Sequence, residues 1–224
     1  MIGSATALHA HSLNTHSANF FPIKTALLIA THNSHKTGEI QAMLGERFLV
    51  SDLNAHPELP VPEETGATFE ENAIIKATAA ARVFEWLVLS DDSGLEVDAL
   101  DGAPGVRSAR YAGEQANDAE NRARLLSDLD SAAARGKQRS ARFRCVMALF
   151  ENNRLLGTFN GAVEGVIINQ ERGSGGFGYD SLFVPAGYCE TFGQLPAEEK
   201  NQLSHRARAL EQVKAFLQNA GYLK

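Results

Sequence analysis

Two carboxylates stand side by side, Asp91 and Asp92, one residue after the apolar run WLVL at residues 86–89. Ser93 and Gly94 follow them at once. The apolar run reads as a buried strand, and the Ser-Gly pair reads as the turn that ends it. Side chains alternate across a strand, so neighbours within one face opposite ways. At a strand end that restriction relaxes, and both acids can face a cleft. Like charges taken out of water raise one another's pKa unless a cation stands beside them. A hard divalent metal or a lysine would serve. Asp-Asp-Ser-Gly is equally the composition of an ordinary solvated turn. Taken alone, the stretch leaves both a turn and a site open.

The rest of the chain must therefore bring the cations. Its 224 residues, 44% hydrophobic and 21% charged, suit one globular domain or two lobes around a cleft. A net charge of −6 argues against a broad nucleic-acid surface, yet leaves room for a local basic pocket. Cys145 and Cys189 lie far apart without a C-x-x-C pattern, so neither a disulfide framework nor a zinc site is expected. They read as packing residues in a reducing cytoplasm. No stretch approaches the roughly 20 apolar residues of a membrane span. Residues 1–24 carry His9, His11 and His16 but no acid, and read as a flexible extension or a start codon placed too early.

Along the chain, the apolar run at residues 25–30 reads as a strand, and THNSHK at residues 31–36 leads into a helix with Ile40, Met43 and Leu44 on one side. Ser34 is the expected N-cap. A strand, a short polar loop and a helix start direct free backbone N–H groups at an anion. Asn33 and Lys36 would add a donor and a point charge. Residues 51–67 read as a long loop. Thr68 and Glu71 fit a capping box for the next helix, on which Asn72, Lys76, Ala79, Ala80 and Val83 lie towards one side. Lys76 suits either a lysine snorkelling to solvent or an ammonium meeting the acids of the strand that follows.

Residues 102–113 form a loop, and residues 117–134 an amphipathic helix with Leu125, Leu126 and Leu129 inward. Two apolar runs joined at Asn152-Asn153 predict an antiparallel hairpin. The glycine-rich segment at residues 173–180 lets a ligand approach backbone, and Phe177 and Tyr179 offer flat faces to a base. A strand is expected at residues 181–184. Pro196 starts a helix at an N1-like position. Ser204 caps another, placing His205 and Arg206 in a first turn where cations are disfavoured unless they face something electron-rich.

Together these segments resemble the Ham1/RdgB family, the inosine triphosphate pyrophosphatases that clear non-standard purine nucleotides. The resemblance rests on THNSHK, EETG-TFEENAIIKA, SDDSGLEVDALDGAPGVRSARYAG, GGFGYDSLFVP and AEEKNQLSHRARAL, in the family's order across residues 25–217. One departure is His32, where the family usually has Gly; a positive φ there would suit His poorly.

The resemblance implies an α/β, ITPase-like (Maf/Ham1) fold of two lobes around a long mixed sheet with a central nucleotide cleft. Residues 25–224 would form that one catalytic domain. It implies a Mg²⁺-dependent, cytoplasmic homodimer that takes ITP, dITP or XTP to the monophosphate and pyrophosphate, and binds neither nucleic acid nor membrane. By the same resemblance, Thr31, His32, Asn33, Ser34, His35 and Lys36 hold phosphates. Asp92 is the general base, with Asp91 and Lys76 beside it. Asp92, Glu64 and Glu63 serve the metal. Ser93 and Lys200 contact substrate, and Phe177, Gly178, Tyr179, Asp180, His205 and Arg206 bind the base.

Overall fold

The computed structural model describes residues 25–59 and 62–222; the expectations for residues 1–24 lie outside the described residues. Six strands form one sheet in the order β2-β1-β3-β4-β5-β6. They are β1 (Thr25–Ile29), β2 (Phe48–Asp52), β3 (Leu87–Val97), β4 (Ser140–Glu151), β5 (Arg154–Ile167) and β6 (Phe183–Pro185). β1 runs parallel to β2 and β3, whereas β3 to β6 pair antiparallel. The helices are α1 (Ser34–Leu44), α2 (Phe69–Ala81), α3 (Asp118–Ser131), α4 (Ala197–Leu203) and α5 (His205–Asn219).

Side-chain alternation divides the core. Leu87 and Leu89 pack with Cys145, Met147 and Ile40 of α1 and Leu210 and Val213 of α5. Val88 faces the other way, onto Ala73, Ala77 and Ala80 of α2. At the far end of the sheet Leu95, Val97 and Phe143 gather Leu125 and Leu129 of α3 with Phe183 and Phe192. The cleft, lined by Lys36, Ser93, Phe143 and Arg206, lies where these clusters meet along β3.

The expected turn at Ser93-Gly94 does not form. β3 continues through Asp91, Asp92, Ser93 and Gly94, paired with β4 from Leu87↔Glu151 to Val97↔Ala141. A long partner strand outweighs local turn composition, because pairing context dominates strand preference. β2 lies partly in the segment expected to be loop. It pairs on one side only, buries Phe48 and leaves Leu49 64% exposed, so its pattern is weak.

The hairpin forms as the residues direct: Asn152 and Asn153 take φ of 49° and 60°, the left-handed pair a tight turn requires. Both expected capping residues around α2, Thr68 and Glu71, close their box, and Asn117 and Glu120 do the same for α3. Other details differ. The N-cap of α1 is Asn33 rather than Ser34, Pro196 sits at the N-cap of α4 rather than at N1, and α2 stops at Ala81, leaving Val83 60% exposed. Cys189 is exposed, so only Cys145 packs in the core.

α5 approaches the sheet closely because β5 has Gly161 beneath it. A Cβ there would stand 2.0 Å from the His205 carbonyl oxygen and 2.6 Å from the Ala209 nitrogen. That glycine sets the height of the helix end carrying His205 and Arg206.

Candidate active site

Because β3 is unbroken, Asp91 and Asp92 face opposite sides of the sheet. Asp92 points towards α2. Lys76 Nζ lies 2.6 Å from Asp92 Oδ1 and 3.3 Å from Glu64 Oε1. Two contacts put these groups together. Ser90 Oγ donates to the Ala73 carbonyl at 2.6 Å, fixing α2 on β3 one turn before Lys76. Asn72 Oδ1 accepts from Gly66 N–H at 2.8 Å, holding the segment that carries Glu64. Thr31, His32, Asn33 and Lys36 line this end of the cleft, with Ser93 and Arg110. Arg110 stands 3.6 Å from Glu64. Sequence reasoning missed it, because it lies in a segment read as plain loop.

Burial pushes the Asp92 carboxyl above the usual carboxylate range, against the pull of Lys76. Lys76 is buried too, which works to lower its pKa, but Asp92 and Glu64 outweigh burial and keep it charged. Lys76 thus meets the acids; it does not snorkel to solvent.

Asp91 points towards α5 and is 1% exposed. Lys36 Nζ lies 2.6 Å from its Oδ1, and Arg206 donates to its Oδ2 from Nε at 3.2 Å and from Nη2 at 3.0 Å. Cys145 Sγ donates to the same oxygen at 3.4 Å. Burial alone would raise the Asp91 pKa, but Lys36 and Arg206 hold it well below the usual range. A carboxylate so committed is a poor proton acceptor, which separates its role from that of Asp92.

The same cations reach the aromatic end of the cleft, lined by Phe177 and Phe143. Arg206 Nη1 also donates to Glu39 Oε2, and Nη2 to Ser93 Oγ at 3.1 Å. Lys200 Nζ donates to Glu39 Oε1 at 2.7 Å and to Asp180 Oδ2 at 2.6 Å. Asp91, Glu39 and Asp180 thereby neutralise Lys36, Lys200 and Arg206. Glu39 was not anticipated from sequence. Its signal is its place three residues after Lys36, on the same helix side.

Phe177 covers these charges, with Lys200 Nζ 5.0 Å and Arg206 Cζ 5.7 Å from its ring centroid. Tyr179 also lines the cleft but is buried, donating its hydroxyl to the Ser108 carbonyl at 2.8 Å, a strut rather than a free stacking face. His205 stacks on Phe143 at 4.9 Å. Burial, then the positive Arg206 and Lys200, hold its pKa well below the ordinary value, so the ring is neutral. Lys36, Ser93 and Asn33 line both ends, making one continuous cleft.

Three expected residues fall elsewhere. His35 stacks on Phe177 at 5.5 Å, at the aromatic end of the cleft rather than the end lined by Thr31 and Lys76. Ser34 is exposed and lines neither end. Glu63 is exposed and does not line the cavity that Glu64 lines. Asn33 Oδ1 itself accepts from His35 N–H at 3.0 Å and Lys36 N–H at 3.2 Å, so those two amides are not open to an anion. His32 needs no glycine-like backbone: among the described non-glycine residues, φ is positive only at Asp101, Ala133, Asn152 and Asn153.

The donor set suits a hard divalent ion. Asp92 Oδ2 is buried without a hydrogen-bond partner, and Glu64 opens onto the same cavity. Among the described residues no three His, Cys, Asp or Glu side chains cluster as a cage. One or two carboxylates suffice for a hard divalent ion that keeps part of its water shell.

The Ham1 family model matches residues 27–216. A dITP/XTP pyrophosphatase of Geobacter sulfurreducens is 49% identical over 194 residues, 86% of this chain and 96% of that protein. A dITP/XTP pyrophosphatase of Halalkalibacterium halodurans is 46% identical over 191 residues, covering 85% of this chain and 97% of that one. The solved structure of a HAM1 protein from Coxiella burnetii superposes with a TM-score of 0.78 at 42% identity, over 87% of this chain and 99% of that chain. With the fold, the order of its segments and this breadth of identity in agreement, the chain belongs to the Ham1 family.

Proposed function

We propose that this protein is a Mg²⁺-dependent pyrophosphatase that hydrolyses ITP, dITP and XTP to the nucleoside monophosphate and pyrophosphate. The observation that carries the reading is the unpartnered Asp92 oxygen, set beside Lys76 and Glu64 at one end of a cleft whose other end is aromatic and cationic. Relatives named dITP/XTP pyrophosphatase support it. The triphosphate lies along the cleft, with its base by Phe177 and its phosphates by Lys36 and Lys76. Water attacks the α-phosphorus, the bond to the bridging oxygen breaks, and pyrophosphate departs with that oxygen. Asp92 Oδ2 takes the water's proton. Glu64, with water and phosphate oxygens, would hold Mg²⁺, which would neutralise phosphate charge as it builds up, leaving Asp92 Oδ2 for the proton. Lys76 keeps Asp92 Oδ1 occupied and leaves Oδ2 without a hydrogen-bond partner.

Selectivity follows from hydrogen-bond donors. A guanidinium has five N–H groups. Arg206 commits one from Nε, one from Nη1 and two from Nη2 to Asp91, Glu39 and Ser93. One Nη1 hydrogen remains for a 6-oxo acceptor. An adenine amino group there would leave that donor unpaired, the kind of mismatch that discriminates strongly.

Residues 25–224 would act as one catalytic domain, in a cytoplasmic homodimer. Free Cys145 and Cys189 suit a reducing compartment. No helix among the described residues is long and apolar enough to cross a membrane.

Product analysis after incubation with ITP and Mg²⁺ is the test. IMP with pyrophosphate supports the reading. IDP with phosphate would make the protein a phosphatase, and tight binding without turnover would make it a sensor.

A further inference from the structure

The loop that carries Phe177 is built of residues that hold no shape of their own. Gly173, Gly176 and Gly178 all take positive φ, of 79°, 71° and 59°. Such a segment is costly to order, so a ring carried on it is useful for recognition only if something outside the loop fixes it. The inner anchor belongs to the base site already described: Asp180 Oδ2 accepts from Phe177 N–H at 2.9 Å and from Lys200.

A second anchor comes from α3, to which neither the proposed chemistry nor the resemblance gives a part. Asp118 and Arg122 are one turn apart and share a helix face. Asp118 Oδ2 accepts from Gly178 N–H at 2.7 Å. Arg122 Nη1 donates to the Gly178 carbonyl at 2.8 Å. Both polar groups of one glycine, between Phe177 and Tyr179, are therefore gripped from a single helix. Arg122 is held in turn: its Nε lies 2.9 Å from Glu171 Oε2, the oxygen that accepts from Ser181 Oγ at 3.0 Å. The ring so closed ties α3 to both ends of the loop.

We propose that Asp118 and Arg122 are positioning residues for purine recognition, clamping the Gly178 backbone so that Phe177 is set for the base before substrate arrives. The proposal deepens the pyrophosphatase reading and rests on it for the identity of the substrate. Preorganisation of this kind strengthens binding by removing the ordering cost from the binding step. Its loss weakens substrate and transition state together, which raises KM more than it lowers kcat.

The test uses the full chain and the variants D118A, D118N and R122A. In D118A and R122A the KM for ITP is expected to rise about tenfold, the effect of losing one charge-assisted hydrogen bond, with a smaller fall in kcat. D118N keeps an acceptor for Gly178 N–H and is expected to recover most of the loss. Hydrogen exchange of the 173–180 amides in the ligand-free proteins reads the clamp without catalysis, and should quicken in D118A and R122A but much less in D118N. A folded D118A with wild-type KM and wild-type loop exchange overturns the proposal, as does a D118N as impaired as D118A. Should wild type fail to hydrolyse ITP, the pyrophosphatase reading falls. Loop exchange then decides the clamp, and unchanged exchange overturns it.

Discussion

Asp91 and Asp92 are consecutive, yet Asp91 is bound by Lys36 and Arg206 on one face of β3 while Asp92 is bound by Lys76 on the other. One acid is fully engaged by cations, and the other keeps one buried oxygen without a hydrogen-bond partner. Their environments push the pKa values apart, upward for Asp92 and downward for Asp91. Carboxylates divided in this way take different roles.

Asp92→Asn should abolish most turnover while keeping the fold. The amide still accepts from Lys76 but cannot take a proton. A fall in kcat of about 10²–10⁴ is expected, with a thermal midpoint near wild type, measured by pyrophosphate release and circular dichroism. Near-normal turnover would remove Asp92 from the role of base.

Asp91→Ala should damage stability first. It leaves the buried Arg206 short of an acceptor and Lys36 without its ion pair. Breaking one side of a buried pair costs about 3–5 kcal/mol. Urea denaturation checks this, and a loss well under 1 kcal/mol would show that Glu39 and Ser93 suffice to hold Arg206.

Arg206→Lys should lose selectivity. A lysine has three donors for Asp91, Glu39 and Ser93, so none is left for the base. The ratio of kcat/KM for ITP over ATP is expected to fall at least about tenfold. An unchanged ratio would move base reading to another group.

His205 gives stability a pH dependence of known sign. Its folded pKa lies below the ordinary 6.5. Above that pH the ring is neutral whether the chain is folded or not. As pH falls below it, the unfolded chain gains a proton that the folded one refuses, so stability drops. Between about pH 7 and 5, His205→Phe should show a shallower fall than wild type, by at most about 1.4 kcal/mol per pH unit. Equal slopes in denaturation series would count against a buried neutral His205.

Gly161→Ala should lift α5 from β5, since a Cβ has no room beside the His205 carbonyl. Overpacking costs about 1–3 kcal/mol. The shift falls on the helix end bearing His205 and Arg206, so the KM for ITP should rise with the loss of stability. Full stability in the alanine variant would mean that the sheet yields there.

The local features of this protein were legible in its sequence, because each rests on contacts within a few residues. Capping at Thr68, the left-handed turn at Asn152-Asn153 and the inward face of α3 need only their own neighbours. So do the motifs that resemble the Ham1 family. What the sequence left open depended on partners distant in the chain. β3 passes straight through a turn-like Asp-Asp-Ser-Gly because β4, some 50 residues on, supplies its hydrogen bonds. Strand pairing then puts Asp91 and Asp92 on opposite faces, a division invisible while they were read as a strand end. Glu39 joins the site only when α5 is laid across α1, and Asp118 and Arg122 reach Gly178 only when α3 is packed beside the glycine loop. Composition and spacing named the groups that could do chemistry, and the packing of distant elements decided which of them are held and which is left without a partner.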